Sequence, residues 1–240
     1  MVLSIVAKNL NVRMNGIWII RNISLDLEGP GIYFLIGKNG SGKSTLLRAL
    51  AGLIPFEGEI RVNGRAIHEY NRRQLSRIIG YVWQNPLYGF FEENVRREIC
   101  FILKNLRLPE EYMEEVVRLF EIDGLLDRSP FFLSGGEAKR VSISSVIVAD
   151  QPIILFDEPE SEMDMHGLVS LMKYIVRHSK DKLIVIATHN PLIALKLRDI
   201  LRGIYFISDG EIVGHGGSET LRDYDFMMNI GVVPPGWWFE

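Results

Sequence analysis

Gly37-Lys38-Asn39-Gly40-Ser41-Gly42-Lys43-Ser44-Thr45 is the stretch that decides the fold of this chain. It follows a short apolar run, Gly31–Ile36, and leads into a segment of helical character, Ser44–Ala51, closed by Gly52. Strand, glycine-rich loop and helix in that order give G-x-x-x-x-G-K-[ST] its required setting. A chance match at average composition in a chain this long is on the order of 1%. The glycines let backbone N–H groups turn inward around phosphate oxygens, and the helix N-terminus adds partial positive charge. Lys43 is expected to reach the β- and γ-phosphates of a nucleotide, and the Ser44 hydroxyl to ligate Mg²⁺. Every position from Gly37 to Thr45 is therefore a candidate nucleotide contact.

Working outward, the segment before the loop reads as strands Leu3–Val6, Asn11–Arg13 and Ile17–Leu27, with Asn15-Gly16 as a hairpin turn. After the loop the character changes. Leu108-Pro109-Glu110-Glu111 opens a helix with proline and acids in its first turn. Met113, Val116, Val117 and Phe120 recur at helical spacing, and Gly124 closes the pattern. Roughly Asn85–Arg128 reads as a helical insert, within a helical subdomain of approximately 85–150. Ile153–Phe156 and Leu183–Ala187 read as buried strands, joined by a helix carrying Leu168, Leu171, Met172 and Ile175 on one face. Gly203–Ser208 and Glu211–Val213 read as a closing hairpin around Asp209-Gly210. Strands alternating with helices predict an α/β fold with a mainly parallel sheet. One domain over 1–240 is expected, with a C-terminal tail from approximately 218 to 240.

Composition narrows the function. The 240 residues carry 27 basic against 30 acidic side chains, a net charge of −3. That leaves no basic excess for a phosphate backbone, so no nucleic-acid partner is expected. Cys100 is the single cysteine, which excludes an intrachain disulfide and fits a reducing compartment. Met1–Lys8 lacks the basic run and apolar stretch of a signal peptide. No apolar run approaches the ~18–20 residues of a spanning helix, so the chain is expected to be soluble by itself.

Ile153-Ile154-Leu155-Phe156 delivers Asp157-Glu158 at the tip of a buried strand. In P-loop enzymes such an aspartate holds Mg²⁺. Neighbouring strand residues point to opposite faces, so the two carboxylates are expected to do different jobs. The second, Glu158, is placed to take a proton from an attacking water.

Leu133-Ser134-Gly135-Gly136-Glu137 reads first as a helix start, because Ser134 and Glu137 form S-x-x-E, a capping box. Together with the two motifs above, LSGG resembles the signature of ATP-binding cassette (ABC) ATPases. In that family the signature faces the γ-phosphate of ATP bound to the other subunit, so the resemblance implies nucleotide contacts from Ser134, Gly135 and Gly136. The family usually has Gln in place of Glu137; folded back as a cap, Glu137 turns its charge away from the phosphate. Gln84, in Tyr81-Val82-Trp83-Gln84-Asn85-Pro86, resembles the Q-loop glutamine, which contacts Mg²⁺ and the lytic water and joins the core to the helical insert. Ser161-Glu162-Met163-Asp164 resembles the D-loop, less closely than the usual Ser-Gly-Leu-Asp. His189, in Ala187-Thr188-His189-Asn190, resembles the switch histidine that touches the γ-phosphate. Where the family usually stacks an aromatic on adenine this chain has Met14, with Trp18 near enough to substitute. The resemblance spans Leu3–Gly217. It implies a P-loop NTPase of the ABC ATPase fold, with an N-terminal antiparallel β subdomain and a helical insert, that binds and hydrolyses ATP with Mg²⁺.

Three looser patterns resemble the ATPases of energy-coupling factor transporters, importers of vitamins or of transition-metal ions such as cobalt. They are Phe90-Phe91-Glu92-Glu93-Asn94-Val95 with Glu98, Asp127-Arg128-Ser129-Pro130-Phe131-Phe132, and the tail Tyr224–Pro235. That subclass implies a second ABC ATPase subunit, identical or paralogous, and transmembrane scaffold and substrate-binding subunits. The location implied is peripheral, at the cytoplasmic face of the membrane. Leu87-Tyr88-Gly89-Phe90-Phe91 is expected to form a groove wall for a short helix of the scaffold. The alternatives are another ABC transporter ATPase or a soluble ABC ATPase such as an iron–sulfur assembly ATPase. DNA-repair and chromosome-organising ATPases interrupt the cassette with a long coiled coil, which the short span from Lys43 to Ser134 leaves no room for. Translation factors carry two cassettes, and P-loop kinases or GTPases lack LSGG and the switch histidine.

Overall fold

Runs of Ile, Val, Leu and Phe bounded by glycine and polar turns favour buried strands, and a computed structural model describing residues 3–235 shows how they assemble. Positions 1–2, at the start of the segment read for a leader, and 236–240, at the end of the expected tail, lie outside the described residues. The chain begins with β1 (Ser4–Met14) and β2 (Ile17–Glu28), a hairpin turning at Asn15-Gly16, both with positive φ. The separate strands read at Leu3–Val6 and Asn11–Arg13 are one strand with register shifts. Next come β3 (Gly31–Ile36), α1 (Lys43–Leu50), β4 (Glu57–Val62), β5 (Arg65–Ala66), α2 (Arg72–Ser76) and β6 (Ile79–Val82). Helices α3 (Val95–Leu106), α4 (Tyr112–Phe120) and α5 (Gly135–Ile147) then precede β7 (Ile153–Asp157). The chain closes with α6 (Met165–His178), β8 (Leu183–Thr188), α7 (Pro191–Lys196), β9 (Leu201–Ser208), β10 (Glu211–Gly216) and α8 (Tyr224–Asn229).

A six-stranded sheet runs β10-β9-β3-β8-β7-β6, parallel except for the antiparallel edge strand β10. A four-stranded antiparallel sheet runs β2-β1-β4-β5. The period-two alternation of the central strands divides the core. Ile32, Phe34 and Ile36 of β3, Ile154 and Phe156 of β7, and Ile184 and Ile186 of β8 pack with residues of α3 to α6. Leu35, Ile153, Leu155, Leu183 and Val185 pack instead with α1 and the antiparallel sheet. The parallel order β3-β8-β7-β6 brings the C-terminal ends of these strands to one edge, where open α/β sheets hold ligands.

In α6, Leu171 and Ile175 are buried while Leu168 and Met172 are half-buried. Met165, Val169 and Val176 stay exposed, and with Met172 and Ile193 they line an apolar groove of about 550 Å³. The tail folds back: Ile230 and Val232 enter the core beyond α8. Among the described residues no helix is long and apolar enough to cross a membrane.

Candidate functional site

The loop after β3 is held by close backbone approach. A Cβ on Gly37 would lie 2.1 Å from the Ile207 carbonyl oxygen, so no other residue fits there without displacing β9. Gly42, at φ 106, occupies the N-cap of α1 and offers no side chain to the first-turn N–H groups, which stay available to an anion. Lys43 is buried, and its Nζ donates to the carbonyls of Gly37 (2.8 Å) and Lys38 (3.0 Å). Burial lowers the Lys43 pKa from its ordinary value, opposed by the carboxylates of Glu158 and Asp157. Lys38 turns its ammonium the other way, onto Asp209 at 3.2 Å, and its stem covers Gly231 of the tail. A pocket of about 250 Å³ over the loop is lined by Asn39, Gly40, Gly42, Lys43, Ser44 and Thr45, and by Ile19, Gln84 and Glu158.

The two carboxylates at the end of β7 face different partners. Asp157 accepts from the Ser44 hydroxyl at 2.8 Å and from the Tyr81 hydroxyl at 2.9 Å. Its pKa is raised by burial, which the two hydroxyl donors oppose. The Asp157 carboxylate in turn helps burial to push the Tyr81 phenol above its ordinary range. Glu158 is not on the strand: β7 ends at Asp157, and Glu158 takes φ 43, a left-handed conformation costly for a residue with a side chain. The partition of roles therefore comes from this turn rather than from strand alternation, and both carboxylates reach the site. Glu158 Oε1 lies 3.7 Å from Lys43 Nζ, while Oε2 accepts from Gln84 Nε2 at 3.0 Å and lies 3.4 Å from His189 Nδ1. One buried carboxylate thus joins the phosphate loop, the strand β6 side and the end of β8.

Ser134, Gly135 and Gly136 line no part of that pocket in the same chain. Ser134 caps α5 in a full capping box. Its N–H and hydroxyl donate to Glu137 Oε2 at 2.8 and 2.9 Å, and the Glu137 N–H donates back to the hydroxyl at 3.4 Å. Arg128 donates to Glu137 Oε1 at 3.1 Å. The Ser134 backbone N–H foremost, then its hydroxyl and Arg128, hold the Glu137 pKa below the usual range. The Glu137 charge is folded back and paired. The D-loop stretch packs against the signature: a Cβ on Gly136 would meet Asp164 Oδ2 at 3.1 Å, and Asp164 caps α6 through the Gly167 N–H at 2.7 Å. Glu162 has φ 62, a conformation that glycine adopts without strain.

Neither expected adenine partner lines the pocket. Trp18 packs on Arg13, whose guanidinium carbon is 5.4 Å from its ring centroid. Between the pairs Val12↔Ile20 and Arg13↔Trp18 the second strand carries one extra residue, Ile19. That bulge brings Ile19 to the pocket wall. The aromatic cluster after Gln84 divides in two. Phe90 is buried, edge-on to Phe131, so it belongs to the core and not to a groove wall. Leu87, Tyr88 and Phe91 are exposed. Phe91 packs on Phe101 and, with Trp83 and Gly89, lines a groove of about 260 Å³. Buried Glu98 holds this loop by accepting from the N–H groups of Phe91 (3.0 Å) and Glu92 (2.9 Å).

Three residues at the site escape motif reading: Tyr81, Ile19 and Lys139. Lys139 lies in α5 with its side chain turned under the β6 end, donating to the carbonyls of Trp83 (3.2 Å) and Gln84 (2.7 Å).

Comparison with known proteins agrees with this geometry. The ABC transporter family model matches residues 20–161. An ABC transporter ATP-binding protein of Archaeoglobus fulgidus is 38% identical over 219 residues, covering 89% of this chain and 90% of that one. The energy-coupling factor transporter ATP-binding protein EcfA of Aster yellows witches'-broom phytoplasma is 33% identical over 223 residues, covering 90% of this chain and 81% of that one. The structure of cbiO1 from Clostridium perfringens, part of the ABC transporter complex cbiONQ, superposes with a TM-score of 0.73 at 24% identity, over 94% of this chain and 95% of that one. With its phosphate loop, β7 carboxylates and signature helix in one α/β cassette, the chain belongs to the ABC transporter family as an ATP-hydrolysing, ATP-binding subunit.

Proposed function

We propose that two such chains, or this chain and a paralogue, close head-to-tail around two ATP and drive import through membrane partners of the energy-coupling factor type. Each site takes the phosphate loop, Gln84, Asp157, Glu158 and His189 from one chain and Ser134, Gly135 and Gly136 from its partner. The observation that carries this reading is the position of Glu158, a buried carboxylate in contact with Lys43, Gln84 and His189 at once. A base held by the lysine that meets the γ-phosphate stands beside the atom that water attacks. Ser44 Oγ and Asp157 Oδ1, 2.8 Å apart, are hard oxygen donors that would hold Mg²⁺. Gln84 is the third residue assigned to it. Bound there, Mg²⁺ would neutralise charge that develops on the phosphates.

The uncapped N-terminus of α1 and Lys43 bind the phosphates. Glu158 takes a proton from water, and Gln84 and His189 orient that carboxylate and sense the terminal phosphate. The signature helix contributes a second N-terminus with two bare glycines to the same phosphate from the other side. Phe91, Trp83 and Gly89 line a groove, with Leu87 and Tyr88 exposed in the same segment, that receives a short amphipathic helix of a membrane scaffold. The relative named for energy-coupling factor transport supports this subclass; a vitamin or a transition-metal ion such as cobalt as cargo is what the resemblance of the sequence to that subclass implies. The chain then sits at the cytoplasmic face of the membrane. The test is co-purification: the tagged chain, expressed with its native membrane subunits, brings down a scaffold and a substrate-binding protein. Phe91→Glu abolishes that recovery while the isolated protein stays folded. Recovery of soluble partners alone contradicts the importer reading.

A further inference from the structure

We propose that Lys139 is a positioning residue for hydrolysis: it ties the signature helix to the backbone of Gln84, so that helix and glutamine move as one body. The proposal rests on the role of Gln84 given above.

The first two turns of helix α5 carry two features. Its N-terminus is the signature, capped by Ser134, and Lys139 follows in the next turn. The Lys139 side chain is fully buried, at 0% exposure. Its Nζ donates to two successive carbonyls, Trp83 O and Gln84 O, just past the end of β6. The side chain of that same Gln84 donates to Glu158. Two hydrogen bonds therefore connect the helix that serves one nucleotide with the carboxylate that serves another.

A charge in this position calls for a reason. Taking an ammonium out of water is costly, and an apolar residue of similar volume commonly packs at least as well. The cost is visible: burial lowers the Lys139 pKa to about 8, against the carboxylates of Glu160, Asp157, Glu162 and Glu158, which oppose the shift in that order. What the ammonium adds over an apolar side chain is a pair of directional bonds that fix both carbonyls and hence the direction of the Gln84 side chain. Two charge-assisted bonds onto consecutive carbonyls hold a loop more firmly than packing does. A rigid helix carrying them transmits its own displacement to Gln84 with little loss. Lys139 does not itself line the nucleotide pocket, so it acts through Gln84, which does.

The test is a double-mutant cycle on steady-state ATP hydrolysis by the full chain, with Lys139→Met, Lys139→Arg and Gln84→Ala. Lys139→Met is expected to lower kcat by roughly 10-fold or more with KM for ATP within about 3-fold, since positioning is lost and binding is not. Lys139→Arg, whose guanidinium can also donate to both carbonyls, restores most of the rate. In the Gln84→Ala background Lys139→Met adds less than about 2-fold, because the path is already broken. A folded Lys139→Met with wild-type kcat, or effects that multiply in the double variant, overturns the proposal. If Lys139→Met does not fold, Lys139→Leu, which likewise has no donor, enters the same cycle under the same criteria. A reading on the wild type needs no variant: hydrogen exchange of the amides from 84 to 92 and of the first turn of α5 should change together on adding a non-hydrolysable ATP analogue. Change in one segment without the other overturns the coupling. Gln84→Ala at the wild-type rate refutes the site reading itself, whereas a slow Gln84→Ala with multiplicative Lys139 effects refutes the coupling alone.

Discussion

On the proposed function, Lys43 is the residue on which nucleotide affinity is expected to turn. Its ammonium is held on the carbonyls of Gly37 and Lys38 beside Glu158. Lys38 is engaged with Asp209, so no second lysine of the loop replaces it. Lys43→Ala is expected to abolish turnover and to weaken ATP binding by at least about 10-fold, read by calorimetry, because a charge-assisted bond to phosphate contributes about 1.5–3 kcal/mol. Ile19 offers the apolar wall, so Ile19→Ala should weaken ATP by roughly 1 kcal/mol of lost apolar contact. Trp18→Ala should leave affinity within about 2-fold; a larger loss in Trp18→Ala than in Ile19→Ala would return adenine contact to the tryptophan. The difference between these residues is also the limit of reading a sequence. The loop lysine and serine are legible because their chemistry is fixed at a fixed spacing, the β7 carboxylates because they end an apolar run, and His189 only through its resemblance to the switch histidine. Ile19 reaches its place through a bulge, and Tyr81 and Lys139 through strand register and a helix crossing. Those depend on partners distant in sequence and leave no local pattern.

At the level of elements, the cap on α5 is a compact electrostatic device. Glu137 is a carboxylate with a lowered pKa, so its contribution is fully present above the ordinary value of 4.5 and is lost as pH falls through its folded-state pKa. Partial exposure of the pair with Arg128 keeps the effect near or below about 1 kcal/mol. Thermal unfolding of wild type and Glu137→Gln should differ most near neutral pH and converge in acid; a difference that grows as pH falls would contradict the cap. Phe90 and Phe91 separate core from surface. Phe90→Glu places an unpaired charge in the core and should unfold the chain or cost several kcal/mol, whereas Phe91→Glu should leave its melting curve unchanged and break assembly. Helix α3 illustrates why some elements escape sequence reading. Val95, Ile99, Leu103 and Leu106 do recur on one face, but buried Glu98 interrupts it and Phe101 stands on the exposed side. The proline-led start at Leu108–Glu111 is the louder signal, yet it yields a turn before α4. Strand β4 is held by long-range pairing with β1, and its Glu-Gly-Glu opening carries little strand preference.

At the scale of the molecule, the residues assigned to the two halves of the proposed site lie apart on one chain. The phosphate loop, Gln84, Glu158 and His189 converge, while Ser134, Gly135 and Gly136 lie outside their pocket. On the proposed function such a chain completes its site with a second copy or a paralogue, with ATP as the ligand expected to hold the two together. That the main sheet is mostly parallel is legible from strands alternating with helices; its strand order is not, because it is set by pairings distant in sequence. The apolar groove on α6 is not either, because its stripe reads as core in sequence. The central claim is that Glu158 hydrolyses ATP trapped between two chains. Glu158→Gln keeps the phosphate loop intact, removes the base and removes one negative charge beside the γ-phosphate. The measurement is sedimentation of Glu158→Gln with and without Mg²⁺–ATP, alongside its hydrolysis rate. The account predicts a monomer that becomes a stable dimer only with ATP, and turnover lower by about 10²–10⁴-fold. A variant that hydrolyses ATP at the wild-type rate, or binds ATP and stays monomeric, contradicts it.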